Sequence, residues 1–214
     1  MPHDMNALFI NLLLVLVYYL YLNWRSRRQA NFTVHAMNKK VRQRWVEMIM
    51  ASDKMDILAV QTIRNSVMAS NFMASTAIIL IIGILNLSGN TEKLAAVWQP
   101  FVLSETPSNQ LSLLKLGLLL LDFSIAFYCF CMAIRLFNHV GYMINLPIDT
   151  IMAGFSPKQV GAYINRAGAY YTFGTRAFFF SFPLILWFFG AYALTFGTLI
   201  LIASLYSLDR APST

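Results

Sequence analysis

Four long apolar stretches constrain the fold of this chain more than any other feature of its sequence. They cover residues 7–24, 67–87, 111–137 and 177–208. A helix crosses the hydrocarbon core of a bilayer with about 20 predominantly apolar residues, and each stretch offers roughly that length or more. Hydrophobic residues make up 58% of the chain and charged residues only 12%, whereas soluble domains average about 25% charged residues. The sequence therefore predicts an all-α integral membrane protein with four transmembrane helices.

The last of these stretches, 177–208, is longer than one crossing requires. Pro183 lies inside it, and a proline within a helix removes a backbone hydrogen bond and often produces a kink. We expect tilt, a kink at Pro183 or protrusion from the membrane to absorb the excess length.

Two further segments, 33–50 and 157–173, carry apolar residues at helical spacing with polar residues between them. An amphipathic helix beside a membrane is expected to lie in the interface. We therefore predict two interfacial helices on the cytoplasmic side, within a single membrane domain that covers residues 1–214. The segment 33–50 is strongly basic, and we expect it to contact anionic lipid. The residues expected to make this contact are Lys39, Lys40, Arg42, Arg44 and Trp45.

Lysine and arginine residues are concentrated in two of the three connections between the apolar stretches. The connection before residue 67 holds most of them and the connection 138–176 holds several, whereas the connection 88–110 holds Lys93 alone. The positive-inside rule places the first and third connections in the cytoplasm. With four spans, both termini then lie outside the cytoplasm. This topology accounts for the formal net charge of +7, and we expect no nucleic-acid partner.

Asp122 is a carboxylate near the middle of the third apolar stretch. An unpaired carboxylate is costly there, so the side chain should be paired, hydrated or protonated. Lys115 lies seven residues earlier on nearly the same helix face, but roughly 10 Å away along the axis. One interpretation is an ion or proton relay. The other is a protonated aspartic acid that hydrogen-bonds to a neighbouring helix and contributes only to packing.

Polar residues recur at the cytoplasmic end of the third stretch, in the sequence MAIRLFNHVGYMINLP. Their spacing of three and four residues places them on one helix face, and a similar row begins the second span. One interpretation is a cationic pocket for a lipid head group or another anion; the other is a set of interhelical hydrogen bonds and snorkelling side chains. The residues expected to form this polar cytoplasmic-boundary cluster are Gln61, Arg64, Asn65, Arg135, Asn138, His139 and Arg176.

Catalytic and metal-binding sequence motifs are absent. The chain contains no G-x-S-x-G or H-E-x-x-H pattern and no paired catalytic carboxylates. His35 and His139 both fall on the predicted cytoplasmic side, but no spaced acidic partners accompany them, and we expect neither a zinc nor a haem site. Cys129 and Cys131 lie in an apolar helix and are expected to serve in packing. The sequence therefore predicts a protein that is not an enzyme and has no cofactor.

Several segments resemble a known family. The segments RQRWVEMIM, ILAVQTIRNSVMASNFMASTAI, FYCFCMAIRLFNHVGYMIN and GTRAFFFSFPLILWFFG are similar to the family known as domain of unknown function 599, which comprises small multi-span membrane proteins of bacteria and plants. The resemblance implies a multi-pass protein of the bacterial inner (plasma) membrane. It brings no activity, since none is established for the family, and Asp122 lies outside the family pattern. The matching positions are Trp45, Gln61, Arg64, Asn65, Met68, Arg135, Asn138, Arg176, Pro183, Trp187 and Gly190.

Three functions remain open at this point. The first is a non-catalytic accessory or assembly subunit that packs against other membrane-protein subunits, which fits the short connections and the lack of catalytic groups. The second is a protein that binds or transports a lipid or small anion through Arg64, Arg135 and Arg176. The third is a proton or ion conductor that uses Asp122. Membrane lipids, including anionic lipids, are expected partners in each case.

Overall fold

The described part of the backbone is almost entirely helical. The computed structural model describes residues 2–28, 32–52, 56–89, 109–146 and 156–210. Within these ranges the strand-like contact is one isolated bridge between Thr33 and Arg210, so the prediction of an all-α fold is confirmed. The helices are α1 (Pro2–Arg28), α2 (Val34–Met50), α3 (Asp56–Ser88), α4 (Asn109–Met143), α5 (Pro157–Leu186) and α6 (Ala191–Asp209), with a 3-10 turn at Trp187–Phe189.

Five of the helices in the described ranges are long and apolar enough to cross a membrane, as expected of a multi-pass membrane protein, and the prediction of four is wrong. The difference arises in the stretch 177–208, where the chain reverses direction at Gly190 between α5 and α6. Gly190 has φ 129° and ψ 172°, a conformation that essentially only glycine adopts. A hairpin therefore accounts for the excess length that the sequence analysis assigns to tilt, Pro183 or protrusion.

The helices pack in the order α3, α4, α5, α6 and α1, each against the next, while α2 packs mainly against α5. Two sets of contacts fix their directions. Asp4 near the start of α1 meets Lys115 of α4 and Trp187 after α5, and we call this the Asp4 end of the bundle. Tyr18, late in α1, donates a hydrogen bond to Asp209 at the end of α6, and we call this the Asp209 end. Helices α1 and α6 therefore run parallel.

The start of α1 and the end of α6 consequently lie at opposite ends of the bundle. The expectation that both termini lie on one side was derived from four crossings, and that basis changes when five helices are long and apolar enough to cross. Helix α6 covers Ala191–Asp209 and rises about 27 Å, close to the roughly 30 Å thickness of a hydrocarbon core. The connection around Lys93 lies outside the described residues.

A second group of helices extends beyond the Asp209 end. Arg176 of α5 pairs with Asp209, the last residue of α6, so the part of α5 before Arg176 continues past the end of α6 by about 28 Å. We call this extension, formed by α2 and the adjoining ends of α3, α4 and α5, the projecting bundle. Its hydrophobic core includes Val46, Ile49, Ile63, Phe137, Val140, Ile144, Val160 and Ile164.

Helix α2 stands alongside α5 in the projecting bundle. Thr33 caps α2 by accepting a hydrogen bond from the Ala36 backbone N–H, and farther along α2 the side chains of Arg42 and Gln43 reach the early part of α5. The two helices are therefore antiparallel. This corrects the prediction of two interfacial helices. Helix α2 nearly matches the predicted segment 33–50, but Val46, Ile49 and Met50 are buried against protein, while Met37, Val41 and Met48 remain exposed. The segment 157–173 is the first half of α5.

Candidate functional site

A pocket of about 370 Å³ between α2 and α5 is surrounded by basic side chains. His35, Lys39 and Arg42 lie along one face of α2, and Arg166 faces them from α5. The remaining lining side chains are neutral, and no acidic residue from the described ranges lines this space. We call it the basic pocket. Its composition favours a ligand with negative charge.

Arg42 is the most constrained cation of the basic pocket. Its side chain is half-buried, and Nε donates a hydrogen bond to Asn165 Oδ1 over 2.9 Å. The guanidinium rests on Gly168, where a Cβ atom would lie only 2.8 Å from Nη1. Burial lowers the pKa of Arg42 below its ordinary value, although an arginine stays protonated in proteins. A partly desolvated charge with a neutral partner is unfavourable until an anion joins it.

His35 connects the basic pocket to a second one of about 210 Å³ nearer the spans. Loss of solvent lowers the pKa of His35 below its ordinary value, and the charges of Arg42, Arg176 and Lys39 lower it further, while Asp209 acts in the opposite direction. The imidazole is therefore mostly neutral at neutral pH. An anion bound beside it would raise that pKa.

The second pocket is polar but its charges are balanced. Arg176 forms an ion pair with Asp209, and both side chains are largely buried. Tyr18 donates a hydrogen bond to the second carboxylate oxygen of Asp209 over 2.8 Å, and the Arg176 guanidinium lies 5.4 Å from the centre of the Tyr19 ring. These contacts join α1, α5 and α6 at the Asp209 end. Arg176 is thus neutralised within the chain, unlike Arg42.

The predicted cytoplasmic-boundary cluster is not assembled as one site. Arg176 faces α1 and α6, as just described, and not the rows on α3 and α4. All six remaining members are exposed, and none forms a hydrogen bond or ion pair with another residue in the parts of the chain that the structure describes. They form two outward-facing rows, with Gln61, Arg64 and Asn65 on α3 and Arg135, Asn138 and His139 on α4.

The residues predicted to contact anionic lipid divide between the two sides of α2. Lys39 and Arg42 line the basic pocket. Arg44 is exposed and pairs with Glu47 at 3.3 Å, Lys40 is also exposed, and Trp45 packs against the core of the projecting bundle. The pattern of charges along α2 thus indicated two side chains that line the basic pocket. It did not identify Arg166 or Asn165, because their approach depends on the register between α2 and α5.

Asp122 lies half-buried on α4, and its Oδ2 atom is buried without a hydrogen-bond partner in the described structure. Lys115 is engaged elsewhere. Its ammonium group donates to the Trp187 carbonyl oxygen over 2.8 Å and lies 3.7 Å from Asp4 Oδ1, which also accepts a hydrogen bond from the Trp187 indole over 3.1 Å. The sequence analysis missed Asp4 as the carboxylate that pairs with Lys115.

Side chains that bind metals are dispersed. Among the residues that the structure describes, no three His, Cys, Asp or Glu side chains come close enough to hold a metal ion. Cys129 and Cys131 are free thiols on α4, the first buried and the second half-buried. Their surroundings are the packed apolar residues of α4 and its neighbours, and burial of this kind is common for free cysteines.

Comparison with known proteins gives one result. The model of a family described as "Protein of unknown function, DUF599" matches residues 6–214 of the chain. No curated protein and no solved structure matches the chain.

Proposed function

We propose a binding function, and not a catalytic one, for this chain, which belongs to the DUF599 family of proteins of unknown function. In this proposal, the basic pocket holds the phosphate-bearing head group of an anionic lipid. The observation that carries this proposal is the half-buried guanidinium of Arg42, whose hydrogen-bond partner Asn165 is neutral. Arginine binds phosphate oxygens through paired N–H donors, and such charge-assisted hydrogen bonds are about twice as strong as neutral ones.

The position of the basic pocket supports a lipid rather than a freely dissolved anion. His35 lies in the first turn of α2, two residues after Thr33, which contacts Arg210 at the end of α6. The pocket therefore begins where the spans end. Two further arginines stack on aromatic rings near this level: Arg28 lies 4.2 Å from the Trp24 ring and Arg25 lies 5.4 Å from the Phe32 ring. Aromatic and basic residues of this kind are typical of a membrane–water interface.

The distribution of charge supports a cytoplasmic position for the Asp209 end and the projecting bundle. The basic residues of α2 and of early α5 all lie at that end, as the positive-inside rule requires of a bacterial inner-membrane protein. The start of α1 would then lie outside the cytoplasm. Anionic phospholipids of the cytoplasmic leaflet attract each nearby Lys or Arg by about 1 kcal/mol.

Native mass spectrometry of protein extracted in mild detergent tests the proposal. Wild-type protein should retain anionic phospholipid, and Arg42→Gln should lose most of it. Arg44→Gln is the matched control, because Arg44 lies on the same helix but is exposed and paired with Glu47. Equal retention by both variants would refute the proposal. Displacement of the lipid by millimolar inorganic phosphate would instead assign the pocket to the free anion.

A role as an accessory subunit is a second candidate, and it rests on the two outward-facing rows of α3 and α4. Six exposed polar side chains without partners in the described chain, next to the 82% exposed ring of Tyr142, offer hydrogen bonds to another protein. Co-purification in mild detergent should recover a partner in stoichiometric amount. Arg135→Glu should release it, whereas Lys158→Glu, an exposed change on α5, should not. A protein that purifies alone from native lipid would contradict this role.

A further inference from the structure

A groove of about 360 Å³ runs between α1, α4, α5 and α6 inside the membrane-spanning part of the bundle. Leucine, valine, isoleucine and phenylalanine side chains form most of its walls, and Asn11, Asp122 and Thr198 are the polar residues among those that line it. The rim side chains Leu12 and Leu121 are 61% and 56% exposed, so the groove opens sideways toward lipid. We call it the intramembrane groove.

Asn11 and Asp122 enter the intramembrane groove at the same depth. Asn11 lies seven residues after Asp4 on α1, and Asp122 lies seven residues after Lys115 on α4. Since Asp4 and Lys115 meet at the Asp4 end, both polar groups lie about 10 Å farther into the bundle. Tyr18, at the opposite end, is again seven residues from Asn11. The two side chains therefore face the middle of the membrane, where unpaired polar groups are most costly.

The amide of Asn11 is oriented by its neighbours and leaves one acceptor unused. The side chain is only 4% exposed. Its nitrogen donates to the Ala7 carbonyl oxygen over 2.7 Å and to Thr195 Oγ1 over 3.1 Å, which uses both amide hydrogens. The Thr195 hydroxyl donates in turn to the Ala191 carbonyl oxygen. Asn11 Oδ1 remains buried without a partner in the described structure.

Two oxygen atoms of the groove-lining residues thus have no partner, and no described side chain other than the Asp122 carboxyl group itself could offer a free donor. The second acceptor is Asp122 Oδ2, which is buried and without a hydrogen-bond partner there. The Thr198 hydroxyl cannot supply the missing proton, because it donates to the Leu194 carbonyl oxygen over 2.9 Å. A buried acceptor without a donor destabilises the protein by the full free energy of its desolvation. The occupant that relieves this cost must bring at least one donor.

We propose that the intramembrane groove binds an apolar molecule of the lipid phase that carries a hydroxyl group, with the hydroxyl between Asn11 Oδ1 and the Asp122 carboxyl group. An ionised carboxylate is costly at this depth, and a neutral carboxylic acid both donates and accepts, as a hydroxyl does. The apolar walls match a hydrocarbon body. The volume lies within the range of roughly 300–1,000 Å³ that is usual for small-molecule sites.

Photolabelling of the protein in nanodiscs tests this proposal. The probe is a long-chain alcohol with a diazirine and an alkyne tag, and its methyl ether is the matched control, since it keeps the hydrocarbon but cannot donate. We expect the alcohol to label peptides of α1 and α4 about fivefold more than the ether, the factor that one hydrogen bond of ordinary net strength provides. Equal labelling by the two probes would overturn the proposal.

Three variants separate a binding role from a structural one. Asp122→Leu should weaken the preference for the alcohol without removing it, because Asn11 Oδ1 still accepts a hydrogen bond. Asp122→Asn should keep the full preference, because an amide still donates and accepts. Ser124→Ala is the control: Ser124 is an exposed residue of α4 that donates to the Leu120 carbonyl oxygen, and its loss should change nothing. If Asp122→Leu does not fold, Asp122→Asn still tests the proposal. Folded Asp122→Asn protein that the alcohol and the ether label equally would overturn it. A different result would assign Asp122 to proton conduction: liposomes with wild-type protein show proton flux, Asp122→Asn abolishes that flux, and the alcohol and the ether label the protein equally.

Discussion

Arg42 of α2 donates a hydrogen bond to Asn165 of α5 over 2.9 Å, so that the most buried cation of the basic pocket rests on a neutral amide. At the Asp209 end of the bundle, Arg176 instead forms an ion pair with Asp209, and both side chains are largely buried. The chain thus neutralises Arg176 with an internal carboxylate, whereas the hydrogen-bond partner of Arg42 is neutral.

Asn165→Asp should place a carboxylate where the proposal puts the lipid phosphate. The variant should melt at a higher temperature than wild type in lipid-free detergent, because Arg42 gains a partner within the chain. It should also lose the increase in melting temperature that added phosphatidylglycerol gives to wild type. Asn138→Asp adds the same charge on an exposed site of α4 and should retain that increase. An Asn165→Asp protein that phosphatidylglycerol still stabilises would contradict the assignment.

Asp209→Asn should destabilise the Asp209 end of the bundle. The Arg176 and Asp209 side chains are 16% and 14% exposed, and breaking a buried pair by removing one charge costs about 3–5 kcal/mol. Tyr18→Phe removes one hydrogen bond to the same carboxylate and should cost about 1.5 kcal/mol. Both values can be measured as free energies of unfolding in detergent. Glu47→Gln is the control: it breaks the exposed pair with Arg44 and should cost well under about 1 kcal/mol. Equal losses of unfolding free energy in the three variants would argue against a structural role for Asp209.

The stability of the lipid-free protein should fall as the pH drops through the ordinary pKa of His35. Solvent loss and the nearby cations lower the pKa of His35 in the folded state, so the unfolded chain binds the proton more readily. This contribution to stability is fully present above the unfolded pKa of about 6.5 and is lost as pH falls toward the folded pKa. His35→Gln should flatten the dependence of melting temperature on pH. Anionic lipid added to wild-type protein should reduce the same dependence. His139→Gln, an exposed substitution on α4 outside the basic pocket, is the matched control for loss of an imidazole.

Gly190→Ala should weaken the hairpin between α5 and α6. The φ of 129° at Gly190 is a conformation that costs a residue with a Cβ atom about 1–3 kcal/mol. Gly83→Ala is the opposite case, because Gly83 lies in α3 with open space around the added Cβ, and it should stabilise the protein by about 0.5–1 kcal/mol. Thermal unfolding in detergent distinguishes the two. A Gly190→Ala protein as stable as wild type would contradict the strain assigned to this turn.

Apolar periodicity in the sequence was sufficient to predict most of the helices. It located α1, α3 and α4 because each crosses the membrane once between polar flanks, and it located α2 because Thr33 caps a regular pattern. The hairpin was missed because the sequence stays apolar on both sides of Gly190, so polarity does not mark the turn. The available signal was Gly190, which follows the run WFF within an apolar stretch longer than the roughly 20 residues that one crossing needs.

The candidate site was harder to predict, since its members come from distant parts of the chain. Arg42 and Asn165 are separated by 123 positions, and only the register of two antiparallel helices brings them together. Sequence analysis grouped Arg176 with Arg135 because both lie near a predicted boundary. It did not weigh Asp209, whose approach to Arg176 requires the reversal at Gly190 that had been missed. The missed reversal therefore explains why Arg176 was grouped with Arg135 and not with Asp209.

The proposal that Arg42 binds the phosphate of an anionic lipid is tested most directly by a dissociation constant. It is measured for short-chain phosphatidylglycerol and the full-length protein in detergent, with wild type, Arg42→Gln and Arg44→Gln. Arg42→Gln should bind at least about tenfold more weakly than wild type, equivalent to about 1.4 kcal/mol, while Arg44→Gln should bind as wild type does. Phosphatidylcholine of the same chain length, which has no net charge, should bind wild type about as weakly as phosphatidylglycerol binds Arg42→Gln. Identical constants for phosphatidylglycerol with all three proteins would contradict the account.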